Sequence, residues 1–186
     1  MAGADGTAGS AAAQNELRAQ RCLNPTPFFR VQAEEWQTAT ADAFRDETSP
    51  AGEPWPPLAA STIEHRAAKL PGANRRTKSG ALTKGARAKR EHGRTGIGAI
   101  KMLVDTGHLK NATRYRADRD GIVVNTISYG PPHIDGDQHS IIAPRPPKRN
   151  FLVIERGDDG RMRLVEPYLT RFLTGYTAFI ETGKVA

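Results

Sequence analysis

The sequence predicts an α+β domain: a small antiparallel sheet packed by an N-terminal and a C-terminal helix, with a long basic insertion. Three observations predict it. Apolar residues recur at helical spacing near both ends, first Phe28, Val31, Trp36, Ala39, Ala43 and Phe44, then Val165, Tyr168, Leu169, Phe172, Tyr176, Phe179 and Ile180. Short strand-like runs flank turn sequences in the second half of the chain. A central stretch rich in Lys and Arg carries few apolar residues and no sustained period.

Residues 1–24 are Ala, Gly and small polar residues with little to bury, so a flexible tail is expected ahead of a single domain over 25–186. Thr26 can cap a helix whose first position is Pro27, where the missing N–H costs nothing, and the apolar spacing carries that helix to about residue 45. Pro50, Pro54, Pro56 and Pro57 impose a loop over 49–57. Ser61 and Glu64 have capping-box spacing, which starts a short helix ending near Leu70, ahead of Pro71 and Gly72. From 74 to 98 the composition predicts a mobile basic loop, part of an insertion over about 71–99.

Order is expected to return over 100–104, and Thr106 with Gly107 to cap a short helix bearing Leu109. Strands over 115–117 and 122–126 flank Asp118, Arg119, Asp120 and Gly121, a hairpin turn sequence. A loop over 131–138, a strand over 140–143 and a last strand over 151–154 follow, the last leading into a turn at 157–160. The final helix is expected over 164–180.

With 186 residues the chain suffices for one core of ordinary size, lean in aromatics at 6% and generous in loops with 13 Pro and 18 Gly. One cysteine, Cys22, excludes an intramolecular disulfide framework and a multi-cysteine zinc site. No run reaches the roughly 18 apolar residues a membrane-spanning helix needs, and no signal-peptide pattern opens the sequence. A soluble protein made in the cytoplasm is expected. The formal charge of +7 is unevenly placed: residues 66–119 hold fifteen Lys and Arg against three Asp and Glu, and the remainder is net acidic.

His133, Asp135, Asp137 and His139 alternate as metal ligands on an extended strand would, but Gly136 and the two preceding prolines favour a solvated loop. The glycines over 93–98 lack the lysine of a phosphate-cradling loop, and no serine or cysteine stands in a nucleophile setting. No catalytic residue, metal or cofactor is therefore expected. Arg75, Arg76, Lys78, Lys84, Arg87, Lys89, Arg90 and Arg94 form the candidate contact for DNA or for an acidic partner. The absence of any aromatic residue from Arg66 to Arg114 argues against base stacking on a single strand.

Several segments, in order, resemble the virion-morphogenesis family of tailed phages, which includes the tail-completion proteins of Mu-like phages. They are Phe44, then Gly52, Pro54, Trp55, Leu58 and Thr62, and the segment 102–112 with Leu103, Asp105, Thr106, Gly107 and Leu109. Farther on come the strand-like run at 123–126, Tyr129, Gly130 and His133, the proline-flanked Arg145, and a C-terminal helix. The longer basic stretch after Leu70, Pro147 and Ile134 depart from the family pattern.

The resemblance implies a non-enzymatic virion subunit of the head-tail neck, forming a ring, with six-fold symmetry as the family expectation. Its neighbours would be tail-tube or terminator proteins and head-tail connector proteins, with contact to packaged DNA and none to a membrane. Trp55, Thr106, Gly107, Leu109, Tyr129, His133, Arg145 and Phe172 are the assembly or structural residues it points to. The alternative is a sequence-independent nucleic-acid-binding protein that uses the central basic segment.

Overall fold

The computed structural model describes residues 5–95, 101–104, 106–128, 130–135 and 147–185. Among them are seven helices and two antiparallel two-stranded sheets, an α+β chain. The helices are α1 (Asp5–Leu23), α2 (Thr26–Asp46), α3 (Ala60–Lys69), α4 (Lys84–Thr95), α5 (His108–Ala112), α6 (Gly130–Asp135) and α7 (Tyr168–Thr182). The strands are β1 (Arg114–Ala117), β2 (Ile122–Asn125), β3 (Ile154–Arg156) and β4 (Met162–Leu164). The chain divides into two compact units, one of Met1–Thr40, Arg114–Asn125 and Leu152–Ala186, the other of Ala41–Thr113 and Thr126–Phe151.

The first unit is built on the ring of Phe28, fully buried, with Phe172 and Tyr176 at 5.3 Å and Phe179 at 5.9 Å between ring centroids. α7 can come this close because Gly175 faces the ring, where a Cβ would sit 3.2 Å from Phe28 Cε2. About two turns along α2, Trp36 meets the edge of Tyr115 on β1. The Tyr115 hydroxyl and Thr40 Oγ1 share a hydrogen bond of 2.9 Å, and the Tyr115 N–H donates to Gln37 Oε1. β1 pairs with β2 from Arg114 opposite Asn125 to Ala117 opposite Ile122, and Asp118 Oδ1 accepts the N–H groups of Asp120 and Gly121 in the turn, as the sequence predicts.

Three expectations change in this unit. The tail expected over residues 1–24 is helical as α1: its run of alanines has high helix propensity, and its end is tied where Arg21 Nη1 donates to Ile180 O and Arg119 Nε to Leu23 O. The sheet is not single: β1 with β2 and β3 with β4 form separate ladders. Residues 151–153 are buried ahead of β3 and lie outside its strand ladder, and β4 follows as the last described strand, with no apolar run to announce it. The C-terminal helix therefore starts later than 164, because Leu164 pairs with Ile154 and the Val165 N–H donates to Val153 O before Pro167 can open α7.

The second unit centres on Phe44, Trp55 and Phe151, all buried, with Phe44 edge-on to Trp55 at 5.7 Å and 5.1 Å from Phe151. Trp55 Nε1 donates to Asn150 O at 2.8 Å. The proline loop holds the expected irregular course, closed by the Ser49 N–H donating to Glu53 O and by Gly52 in the left-handed region. Arg149, only 5% exposed, spends Nε and Nη2 on Pro56 O and Pro57 O, both at 3.0 Å. That pairing satisfies the carbonyls that a proline-rich loop leaves without donors of its own.

α3 ends where expected but starts one residue before Ser61, so no capping box forms, and Ala59 caps it without a side-chain bond. Gly107, at φ 76°, opens α5 in place of a Thr106 side-chain cap, and Leu109 is buried as expected. The first part of the loop expected over 131–138 is helical as α6, since prolines are tolerated in a first helical turn and Ile134 finds burial. The order expected over 100–104 is present at 101–104 as turn rather than helix or strand, and residue 100 lies outside the described residues, as do 136–138 and the strand expected over 140–143.

Phe28→Ala should cost about 3–5 kcal/mol, read by chemical denaturation, because the ring leaves a cavity among three others. Burial of Tyr115 raises its phenol from 10.0 to about 12, although the Thr40 bond lowers it. Since the folded chain keeps a proton that the unfolded chain releases, stability should fall as pH rises from 10 towards 12. Tyr115→Phe should flatten that fall in urea titrations at stepped alkaline pH.

Candidate polyanion-binding and assembly surfaces

The net charge of the chain lies in its second unit. Sixteen Lys and Arg stand there against nine Asp and Glu, whereas the first unit holds eleven of each. Most of the excess sits on the hairpin of α3 and α4. Thr83 caps α4, its Oγ1 accepting the Ala86 N–H, and small buried side chains, Ala67, Ala73 and Ala86, let the two helices and their turn approach closely. Between them residues 75–83 fold back on themselves: Arg76 bridges to Leu82, the Thr77 N–H donates to Ala81 O at 2.7 Å, and Gly80 takes φ 82°. The segment expected to be a mobile insertion is thus a helical hairpin over its described part, to residue 95.

Seven of the eight predicted cations fall into two sets. Lys89 Nζ donates to Pro71 O, Arg90 Nε to Ala73 O and Arg90 Nη2 to Asn74 Oδ1, so these two close the carbonyls left open after α3. Arg76 Nη1 likewise donates to Gly80 O within its own loop. Arg75, Lys78, Lys84 and Arg87 are exposed, and their side chains make no ion pair among the described residues. Lys84 and Arg87 stand three residues apart and share a helix face. The backbone of Arg94 continues α4, and its side chain lies outside the described residues.

The residues expected to serve assembly divide between the units. In the second, Trp55 and Leu109 are buried, Gly107 turns the chain into α5, and Thr106 is exposed. His133 on α6 is half-buried, with Nδ1 enclosed and, among the described residues, without a hydrogen-bond partner. Its own carbonyl accepts the Arg149 N–H at 2.6 Å. Burial first, and then the guanidinium groups of Arg149 and Arg66, hold the imidazole below its ordinary pKa. Arg149 was missed by sequence reading, because a cation among prolines gives no sign of burial.

In the first unit Phe172 lies nearly parallel to Phe29 and to Tyr176, which are nearly parallel to each other, every pair 6.2 Å apart. These three rings are half-buried, and Leu169 and Leu173 on the same helix are exposed, Leu173 by 56%. The platform needs Phe29 beside the core residue Phe28, and no helical period marks both. Tyr129 and Arg145 lie outside the described residues, as do Asp137, His139 and the side chain of Asp135. Among the described residues no three His, Cys, Asp or Glu side chains are placed to hold a metal ion, and no helix is long and apolar enough to cross a membrane.

No protein-family profile, curated protein or solved structure matches this chain.

Because His133 is depressed, the folded chain resists a proton that the unfolded chain takes up. Stability is therefore unaffected above pH 6.5, where both states are neutral, and is lost as the pH falls from that value towards the lower pKa of the folded chain. Denaturation of His133→Gln at pH 7.5 and pH 5.5 should show a smaller acid loss than the parent chain.

Proposed function

We propose that the chain is a non-enzymatic structural subunit of a tailed-phage particle, of the tail-completion type, assembling as a ring at the head-tail neck. The carrying observation is the apolar platform of α7: Leu169 and Leu173 exposed beside the parallel rings of Phe29, Phe172 and Tyr176. An apolar, aromatic-centred face of this kind is suited to protein association, and closed cyclic symmetry would cover it on every subunit. Support also comes from the work done by residues of the family-like segments. Phe44 and Trp55 pack together, Trp55 ties its loop to Asn150, and Gly107 and Leu109 turn and anchor α5. These are tasks of shape.

On this reading the subunit is made in the host cytoplasm and ends in the virion. Its partners are further copies of itself, six in the closed ring, together with tail-tube or terminator and head-tail connector proteins. Sedimentation velocity of the chain mixed with those neighbours should give a closed oligomer. Leu173→Asp should abolish it while changing stability by less than about 0.5 kcal/mol, because the side chain is mostly exposed. A parent chain that stays monomeric in the mixture, or a Leu173→Asp chain that still closes, contradicts the reading.

A further inference from the structure

We infer that the outer face of the α3–α4 hairpin is a binding site for the phosphate backbone of double-stranded DNA, engaged without sequence preference through Arg75, Lys78, Lys84 and Arg87. The inference goes beyond the assembly reading and needs only the hairpin and its charge.

The division of labour among the cations carries it. Lys89, Arg90 and Arg76 hold backbone carbonyls of the hairpin and so brace the support, while their charge still adds to its field. The four outer cations do none of this. They are exposed on the unit that holds the chain's whole net charge, and no ion pair occupies them among the described residues.

The chemistry between those cations selects the partner. Thr77, Ser79, Gly80, Ala81, Gly85 and Ala88 are all exposed there, small residues that let a polymer backbone approach. A face that docked an acidic protein would be expected to centre on aromatic or large apolar side chains with charge at the rim. None stands exposed on this hairpin, where Leu82 is half-buried. A single strand would call for large stacking rings, and residues 66–114 contain no Phe, Trp or Tyr. Reading adenine would call for free amide side chains, and residues 60–95 contain no glutamine and one asparagine, Asn74, which is held by Arg90. What remains is a set of exposed point charges on a braced support, which suits phosphates.

The test is fluorescence anisotropy of the full chain, without any neighbour protein, on two labelled 20-base-pair duplexes of unrelated sequence at stepped salt. The two duplexes should bind alike. Four phosphate contacts predict a contribution of roughly 3.6 to the slope of log affinity against log salt, which is about a hundredfold between 50 and 200 mM. Arg75→Gln, Lys78→Gln, Lys84→Gln and Arg87→Gln combined should remove that contribution with the melting temperature retained. Exchanging Arg for Lys and Lys for Arg at the same four positions should preserve it. Binding of the Gln variant equal to that of the parent overturns the inference. So does preference of the parent for a poly-glutamate peptide or a single strand over duplex, or discrimination between the two duplexes by tenfold. Ring closure is read separately by sedimentation, so loss of one result leaves the other standing.

Discussion

Burial of aromatic rings presented by α2 is the interaction on which the rest of the structure depends. With aromatics at 6% of the chain, few side chains can supply a large apolar area, and α2 carries several of them. In the first unit Phe28 and Trp36 gather α7 and β1, with Thr40 meeting the Tyr115 hydroxyl. In the second, Phe44 gathers Trp55 and Phe151. The strands, two to a sheet and at most four residues long, could not hold a layer alone.

The second constraint is electrostatic. A segment with so many cations gains little from burial, and its order comes instead from alanines small enough for close approach and from guanidinium and ammonium groups turned onto carbonyls. The same logic appears at Arg149, whose guanidinium completes a proline loop that has too few donors. In both places charged groups act as scaffold. Counting cations along the sequence does not separate the two roles: among the described side chains of the hairpin, Arg76, Lys89 and Arg90 brace carbonyls, while Arg75, Lys78, Lys84 and Arg87 are exposed without such a bond.

Much of the fold was legible beforehand, because strong periodicity and turn chemistry are local. α2 spans 26–46 against an expected 27–45, the β1–β2 hairpin falls on its Asp-Gly turn, and the proline loop is where the prolines put it. The misses share a cause. α1 and α4 have compositions that read as disorder, yet alanine propensity in one and Ala67, Ala73 and Ala86 in the other favour a helix once a neighbour is present. β4 has no apolar run, since its partner strand and not its own side chains defines it. Of the candidate site, the basic residues and Phe172 were legible by type. The division between support and surface, the burial of Arg149 and the ring platform of Phe29, Phe172 and Tyr176 depend on contacts remote in sequence.

A chain organised in this way is suited to holding a position in an assembly: rings that fix shape, an apolar face on α7, and a charged hairpin braced by its own cations. The most direct measurement of that account is immunogold electron microscopy of tailed particles produced by cells that encode this chain. The account predicts gold at the junction of head and tail on intact particles. Particles that carry no label, with the chain recovered only from the unassembled fraction, would contradict it.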